Sequence, residues 1–190
     1  NVKPSCQFWL SEAVALAVVH TLDRYIDNGV SIKWPNDIYW NDRKICGILV
    51  EHSLSGGKID HTIAGIGLNI NQEKFLSDAP NPVSLRQIIG CDTPLPDVLH
   101  HLSEELLRLA DSLPDNAESL HAEFLSRLYR RNGLHTYRNV ADRTADHLAA
   151  GEEFCAEIAD VAPDGILTLA RPDGSRPRFA FKEVEFVIGK

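Results

Sequence analysis

A chain of 190 residues, 44% apolar and 24% charged, can bury a real core and is too ordinary in composition for a disordered or fibrous protein. Its formal net charge of −8 and pI near 5.4 exclude a general nucleic-acid binder, which needs clustered Lys and Arg against phosphate. No apolar run approaches the roughly 20 residues that cross a bilayer, and no signal-peptide pattern opens the sequence.

The chain opens on Asn1, and a helical pattern is under way within about ten residues, so it reads as part of something longer. Val14, Ala17, Val18, Leu22 and Ile26 recur at three and four, which predicts a helix over Ser11 to Ile26. Ser11 is the candidate N-cap, with an earlier start after Pro4 also open, and Asn28-Gly29 supply the stop. The period then changes. Val30 to Trp34, Ile38 to Trp40, Ile45 to Glu51 and Lys58 to Leu68 are rich in β-branched and aromatic residues, and turn chemistry separates them at Pro35-Asn36-Asp37, Asn41-Asp42 and Ser55-Gly56-Gly57. Connections this short predict hairpins and a largely antiparallel sheet.

Asn71 to Pro96 is proline-rich and aperiodic, and is expected to be a surface excursion. Helical spacing returns at Leu95, Val98, Leu99, Leu102, Leu106, Leu109 and Leu113, and again at Leu120, Phe124 and Leu128, with Asn132-Gly133 as the stop. Arg127, Arg130 and Arg131 fall near that helix end, where compensation of the helix dipole is the plain reading. Glu153 to Val161, Ile166 to Ala170 and Phe179 to Ile188 then read as strands joined by two Pro-Asp-Gly turns, a small barrel or sandwich of its own with the boundary near Gly133. Cys6, Cys46, Cys91 and Cys155 form no CxxC pair, which argues against a zinc or dithiol site and for a reducing, cytoplasmic setting.

Three clusters carry chemistry. Lys33-Trp34-Pro35-Asn36-Asp37 ends a strand in a proline turn; it is either an ordinary strand exit with an Asx-type turn, or an adenylate site with Lys33 and Asp37 on phosphate or metal. Lys44 leads into an apolar strand and is either a solvated edge lysine or a functional one, while Gly47 inside that strand marks a bulge or the close approach of a ligand. Gly65-Ile66-Gly67-Leu68-Asn69 lacks the third glycine and the following helix of a dinucleotide loop. Its two glycines instead bare one face of a strand, where a flat ring could lie, and the Asn69 amide could read an adenine edge.

The order KWPND, RKICGILVE, GIGLNIN, then Pro82-Val83-Ser84-Leu85-Arg86, closely resembles biotin protein ligases from about Val30 to Arg86, and more loosely beyond. The resemblance implies an α+β fold: a mixed, largely antiparallel sheet flanked by helices, of the class II synthetase and biotin ligase type, over residues 1–133. A small C-terminal barrel of the Src-homology-3 type is implied over 134–190. It implies ATP-dependent activation of biotin to biotinyl-5′-AMP and transfer of biotin to a lysine of a biotin carboxyl carrier protein. ATP and Mg2+ are the expected cofactors, and a homodimer is an expected assembly. Nucleic-acid and membrane partners are not expected for this chain. Lys44 is similar to the family's central lysine, which contacts the biotin carboxylate and the α-phosphate and is the catalytic residue. Lys44, Gly47, Leu49, Gly65 and Gly67 are the implied biotin wall, and Lys33, Asn36, Asp37 and Asn69 the implied adenylate site, with no protein ligand assigned to a metal. Alternatives are a lipoate-type acyltransferase on the same fold, or a fragment without activity of its own. The second follows from the family's Gly/Arg-rich loop over biotin, of which residues 1 to 29 hold only Arg24 and Gly29; weak binding of biotin and ATP by this chain alone is the matching expectation. The DNA-binding domain of some members has no counterpart in this sequence either.

Overall fold

The computed structural model describes residues 2–76, 81–140 and 148–189. The chain divides into two compact units, Asn1–Tyr129 and Arg130–Lys190.

In the first unit a short 3-10 turn at Pro4–Cys6 leads into α1, Phe8–Leu22. The helix is buried almost all round, from Glu12 to Val19, because it packs on the sheet with one side and on α3 (Leu95–Asp111) and α4 (Ala117–Ser126) with the other. A helix enclosed in this way needs apolar residues beyond a single stripe, and Leu16, Ala17, Val18, Val19 and Leu22 are fully buried. Truncating Leu16 to Ala would cost about 2–5 kcal/mol by opening a cavity between the layers. Glu12 meets His121 Nδ1 at 2.8 Å, and His20 lies between Glu105 (3.1 Å) and Glu123 (2.7 Å), which ties α1 to both neighbours.

The four strands β1 Val30–Lys33, β2 Asp37–Trp40, β3 Arg43–Ser55 and β4 Lys58–Leu68 form an antiparallel sheet in sequence order. Ile32, Ile38, Cys46 and Ile48 line its helix-side face and are at most 5% exposed. Parallel pairing occurs as two isolated bridges, Ile32 with Leu128 and Lys44 with Pro82. The first explains an early helix end: α4, Ala117–Ser126, stops short of Asn132-Gly133 because the Ile32 N–H donates to Arg127 O (2.8 Å) and the Tyr129 N–H to Ile32 O (2.8 Å). Arg127 grips Asp23 through both guanidinium nitrogens, at 2.9 and 2.8 Å, so it holds the end of α1 instead of serving a helix terminus.

The segment expected as a surface excursion is partly core. Val83, Ser84, Leu85 and Thr93 are buried, and Ser84-Leu85-Arg86-Gln87 builds a capping box that starts the short helix α2, Leu85–Ile89. Asn71 exchanges hydrogen bonds with the Thr93 backbone at 2.8 and 3.0 Å. Proline content and lost periodicity gave no sign of this, because these residues are buried by reaching into the sheet and not by repeating along an element. The helix α3, Leu95–Asp111, follows as expected.

The second unit holds β5 His135–Asn139, β6 Glu153–Val161, β7 Leu167–Ala170, β8 Arg178–Phe179 and β9 Val184–Phe186, all antiparallel in the order β8-β7-β6-β5-β9. Strict alternation along Phe154, Ala156 and Ile158 buries one face of β6. Tyr137 stands at its centre, with its ring 5.0 Å from that of Phe186 and 6.0 Å from that of Phe154. The Pro-Asp-Gly turns fall where expected: Gly165 and Gly174 take φ of 90° and 87°, and each aspartate accepts a backbone N–H two residues on. Arg130 and Arg131 donate to the carbonyls of Val187 and Ile158, so they too serve this unit and not a helix end.

Candidate active site

The register of the sheet brings the sequence clusters onto one face. Lys33 pairs with Asp37, Asp37 with Gly47, and Gly47 with Gly67, a single rung across all four strands. Directly opposed residues point to the same side. Leu49 faces Gly65 one rung pair further along.

Lys44 should not belong to this face. Counting by twos from Gly47 gives residues 45 and 43, so a regular strand would turn Lys44 to the helix side. A bulge prevents this: Ile38 pairs with Cys46 but Tyr39 pairs with Lys44, so β3 carries one extra residue there. Ile45 and Cys46 are consecutive and both fully buried, and Lys44 emerges beside Gly47. Its Nζ lies 2.6 Å from Asp37 Oδ1, with the two side chains 37% and 20% exposed. The end of Lys44 occupies the room that a side chain at position 47 would take: a Cβ on Gly47 would stand 3.2 Å from both Cε and Nζ. A Cβ on Gly65 or Gly67 would meet nothing closer than 3.7 or 3.5 Å, so these two leave open sheet surface. Leu49 borders it and is 60% exposed. The result is a half-exposed ammonium at the edge of a bare, apolar strip of backbone, a surface suited to a small apolar ring carrying an anionic group.

The two asparagines are turned inward. Asn36 Nδ2 donates to the Ile48 carbonyl at 2.6 Å, and Asn69 Nδ2 donates to the Val83 carbonyl at 3.1 Å. A carbonyl only accepts, so in both residues one N–H of the amide is committed to the backbone, and Oδ1 and the second N–H are what a ligand can meet. Lys33 Nζ sits 5.4 Å from the ring centre of Tyr39, whose hydroxyl pKa is raised by burial and by the neighbouring Asp37 charge. Cys46 shares the strand with Lys44 but not the face. Burial, with the Asp37 charge adding to it and Lys44 opposing it, pushes its thiol up to about 12, so it is a small packing group and no nucleophile.

Sequence reasoning missed what holds Lys44 in place. β4 runs beside β3 only as far as Cys46, and segment 81–83 takes its place alongside Lys44. The Lys44 N–H donates to Asn81 O at 2.8 Å, its carbonyl accepts from Val83 N at 2.9 Å, and Arg43 reaches the Pro82 carbonyl at 2.9 Å. The available signal was the Ser84-x-x-Gln87 capping box, which fixes where this segment enters α2.

Residues 1–69 match the model of the biotin/lipoate A/B protein ligase family. The bifunctional ligase/repressor BirA of Bacillus subtilis is 34% identical over 98 residues, 49% of this chain and 30% of that protein. Biotin–protein ligase 2 of Arabidopsis thaliana is 40% identical over 76 residues, 39% of this chain and 23% of that protein. The matched stretches span about a quarter to a third of these relatives' own length. In fold, the biotin protein ligase from Aquifex aeolicus, solved in complex with biotin and ATP, superposes with a TM-score of 0.71 at 19% identity, over 95% of this chain and 72% of that one. The shared architecture is antiparallel sheet with helices, as the sequence resemblance implied.

Proposed function

We propose that this chain is the part of a biotin protein ligase that activates biotin with ATP and passes it to a carrier-protein lysine. The observation that carries the reading is the Lys44 ammonium, turned by a bulge onto a glycine-bared face and steadied by Asp37 at 2.6 Å. In this reading the fused rings of biotin lie on Gly65 and Gly67 beside Leu49, with the carboxylate reaching Lys44 near Gly47. The carboxylate oxygen attacks the α-phosphorus of ATP, the bond to pyrophosphate breaks, and biotinyl-5′-AMP forms. Two anions must meet in this step, and a fixed ammonium lowers their repulsion and stabilises the charge that builds up in the transition state. The amine of an acceptor lysine then attacks the acyl carbon, AMP leaves, and the amine gives up a proton. Lys33, Asn36 and Asp37 form the polar floor beside the phosphates, and Asn69 Oδ1 accepts from the adenine amine.

Magnesium would accompany the nucleotide. The described residues hold no cluster of three or more His, Cys, Asp or Glu, but Mg2+ on a nucleotide is held largely by phosphates and water with one or two carboxylates. Asp37 fits as such a carboxylate. We also assign residues 134–190 as a separate small domain of the Src-homology-3 type, supported by its five short antiparallel strands and aromatic core. The proposed acceptor is a biotin carboxyl carrier protein, the proposed compartment the cytoplasm and the proposed assembly a homodimer. Among the described residues no helix is long and apolar enough to cross a membrane.

The family model covers lipoate as well as biotin ligases in its description, so lipoate is the competing substrate. Thermal shift of the full-length protein with each acid, with and without ATP, separates them. Stabilisation by biotin alone is expected; stabilisation by lipoate and not biotin would reverse the assignment.

A further inference from the structure

The geometry points to Asn69 as a positioning residue for Lys44, acting through the Val83 peptide, in addition to any contact it makes with the nucleotide. The inference rests on the role of Lys44 proposed above. Lys44 stands where β3 has lost its β4 neighbour, so its backbone is held by the Asn81–Val83 segment alone on that side. Among the described residues that segment belongs to no strand and meets β3 only through an isolated bridge. Asn69 sits at the junction where β4 leaves and the segment enters, and it fastens both. Its N–H donates to Ile45 O (2.9 Å), its carbonyl accepts from Leu85 N (3.0 Å), and its side-chain amide donates to Val83 O (3.1 Å). The Val83 N–H in turn donates to Lys44 O at 2.9 Å.

A continuous path therefore runs from the Asn69 amide through the Val83 and Lys44 peptides to an ammonium 2.6 Å from Asp37. The first link requires a donor in a half-buried place, which neither a carboxylate nor an aliphatic side chain of similar size provides. Without it the Val83 carbonyl loses its side-chain partner, the backbone at residue 83 is freer to turn, its N–H bond to Lys44 O loosens, and the bulge that turns the lysine onto the ligand face is held less firmly. A group reacting within hydrogen-bond reach is sensitive to such loosening on the scale of an ångström or less.

The test uses Asn69→Ala and Asn69→Ser in the full-length protein, with biotin-dependent pyrophosphate release followed with ATP and with ITP, which lacks the exocyclic amine of adenine. Positioning predicts that kcat falls about tenfold with ITP as well as with ATP, any loss of the base contact adding with ATP alone. It also predicts little further loss when Asn69→Ala is added to Lys44→Ala, because the two act as one unit. A loss confined to ATP, or full additivity with Lys44→Ala, would overturn it and leave Asn69 as a reader of the base only. Hydrogen exchange of the Val83 amide gives a readout independent of turnover: faster exchange in either variant is expected, and wild-type protection overturns the link. Should the wild-type protein release no pyrophosphate with biotin, the proposed function fails, and the exchange result still decides whether the Asn69–Val83 link holds the Lys44 backbone.

Discussion

Gly47→Ala tests whether the space beside Lys44 is used. The added methyl would stand 3.2 Å from Cε and Nζ of Lys44 and 3.7 Å from Asp37 Oδ1. Ordinary carbon contacts lie at about 3.5–4.0 Å, so the lysine tip must retreat by a few tenths of an ångström or swing away. The atoms that give are the far end of a flexible side chain, so the backbone has no reason to move. Ala also loses less conformational entropy than Gly on folding, about 0.5–1 kcal/mol in its favour, which offsets what the displaced ion pair gives up. The melting temperature should therefore stay within a few degrees of wild type. Activation of biotin should fall about 10–100-fold, since the ammonium is shifted from where charge develops. Thermal melting and biotin-dependent pyrophosphate release on the same preparation check both halves. Wild-type turnover would refute the tight placement of Lys44, and loss of the folded state would refute the claim that only a side-chain tip is in the way.

Gly67→Val should weaken biotin binding by at least tenfold while the fold persists, because valine suits a strand and a Cβ there meets only the Gly47 carbonyl, at 3.5 Å; calorimetric titration with biotin checks it. Exposed Cys91 and Cys155 should alkylate readily in the native protein at pH 8, whereas buried Cys46 should react only on unfolding, as peptide mapping after maleimide labelling will show. Because Cys46 is raised in the folded state from about 9 to about 12, the folded protein holds that proton longer than the unfolded chain. Its contribution is complete below pH 9 and lost progressively as pH rises towards 12. Denaturant melts should thus show a shallower alkaline decline for Cys46→Ala than for wild type.

Much of the sheet was legible because alternating β-branched residues and short turns leave few ways to pair neighbouring strands; Lys58 to Leu68 is a strand as read. The glycines were legible as bare positions, since nothing in a strand interior favours glycine otherwise. The side chain of Lys44 was not. Period-two reading turns it to the wrong face, and only the extra residue in β3 corrects this, a feature set by the partner strand and the Asn81–Val83 segment far along the chain. The end of α4 was misread for a similar reason: Leu128 keeps helical spacing, yet its neighbours pair with the edge of β1. The strand His135–Asn139 went unread because five residues with few β-branched side chains give a weak signal, although Tyr137 is the centre of its core.

In the proposed reading, Lys44 stabilises charge as biotin is activated on the glycine face. Mass spectrometry of a carrier-protein acceptor domain incubated with biotin, ATP and the full-length protein, wild type against Lys44→Ala, measures this role. Wild type should add one biotin to one acceptor lysine, and the folded variant should do so at a rate lower by about 10²-fold or more. Transfer by Lys44→Ala at the wild-type rate would contradict it.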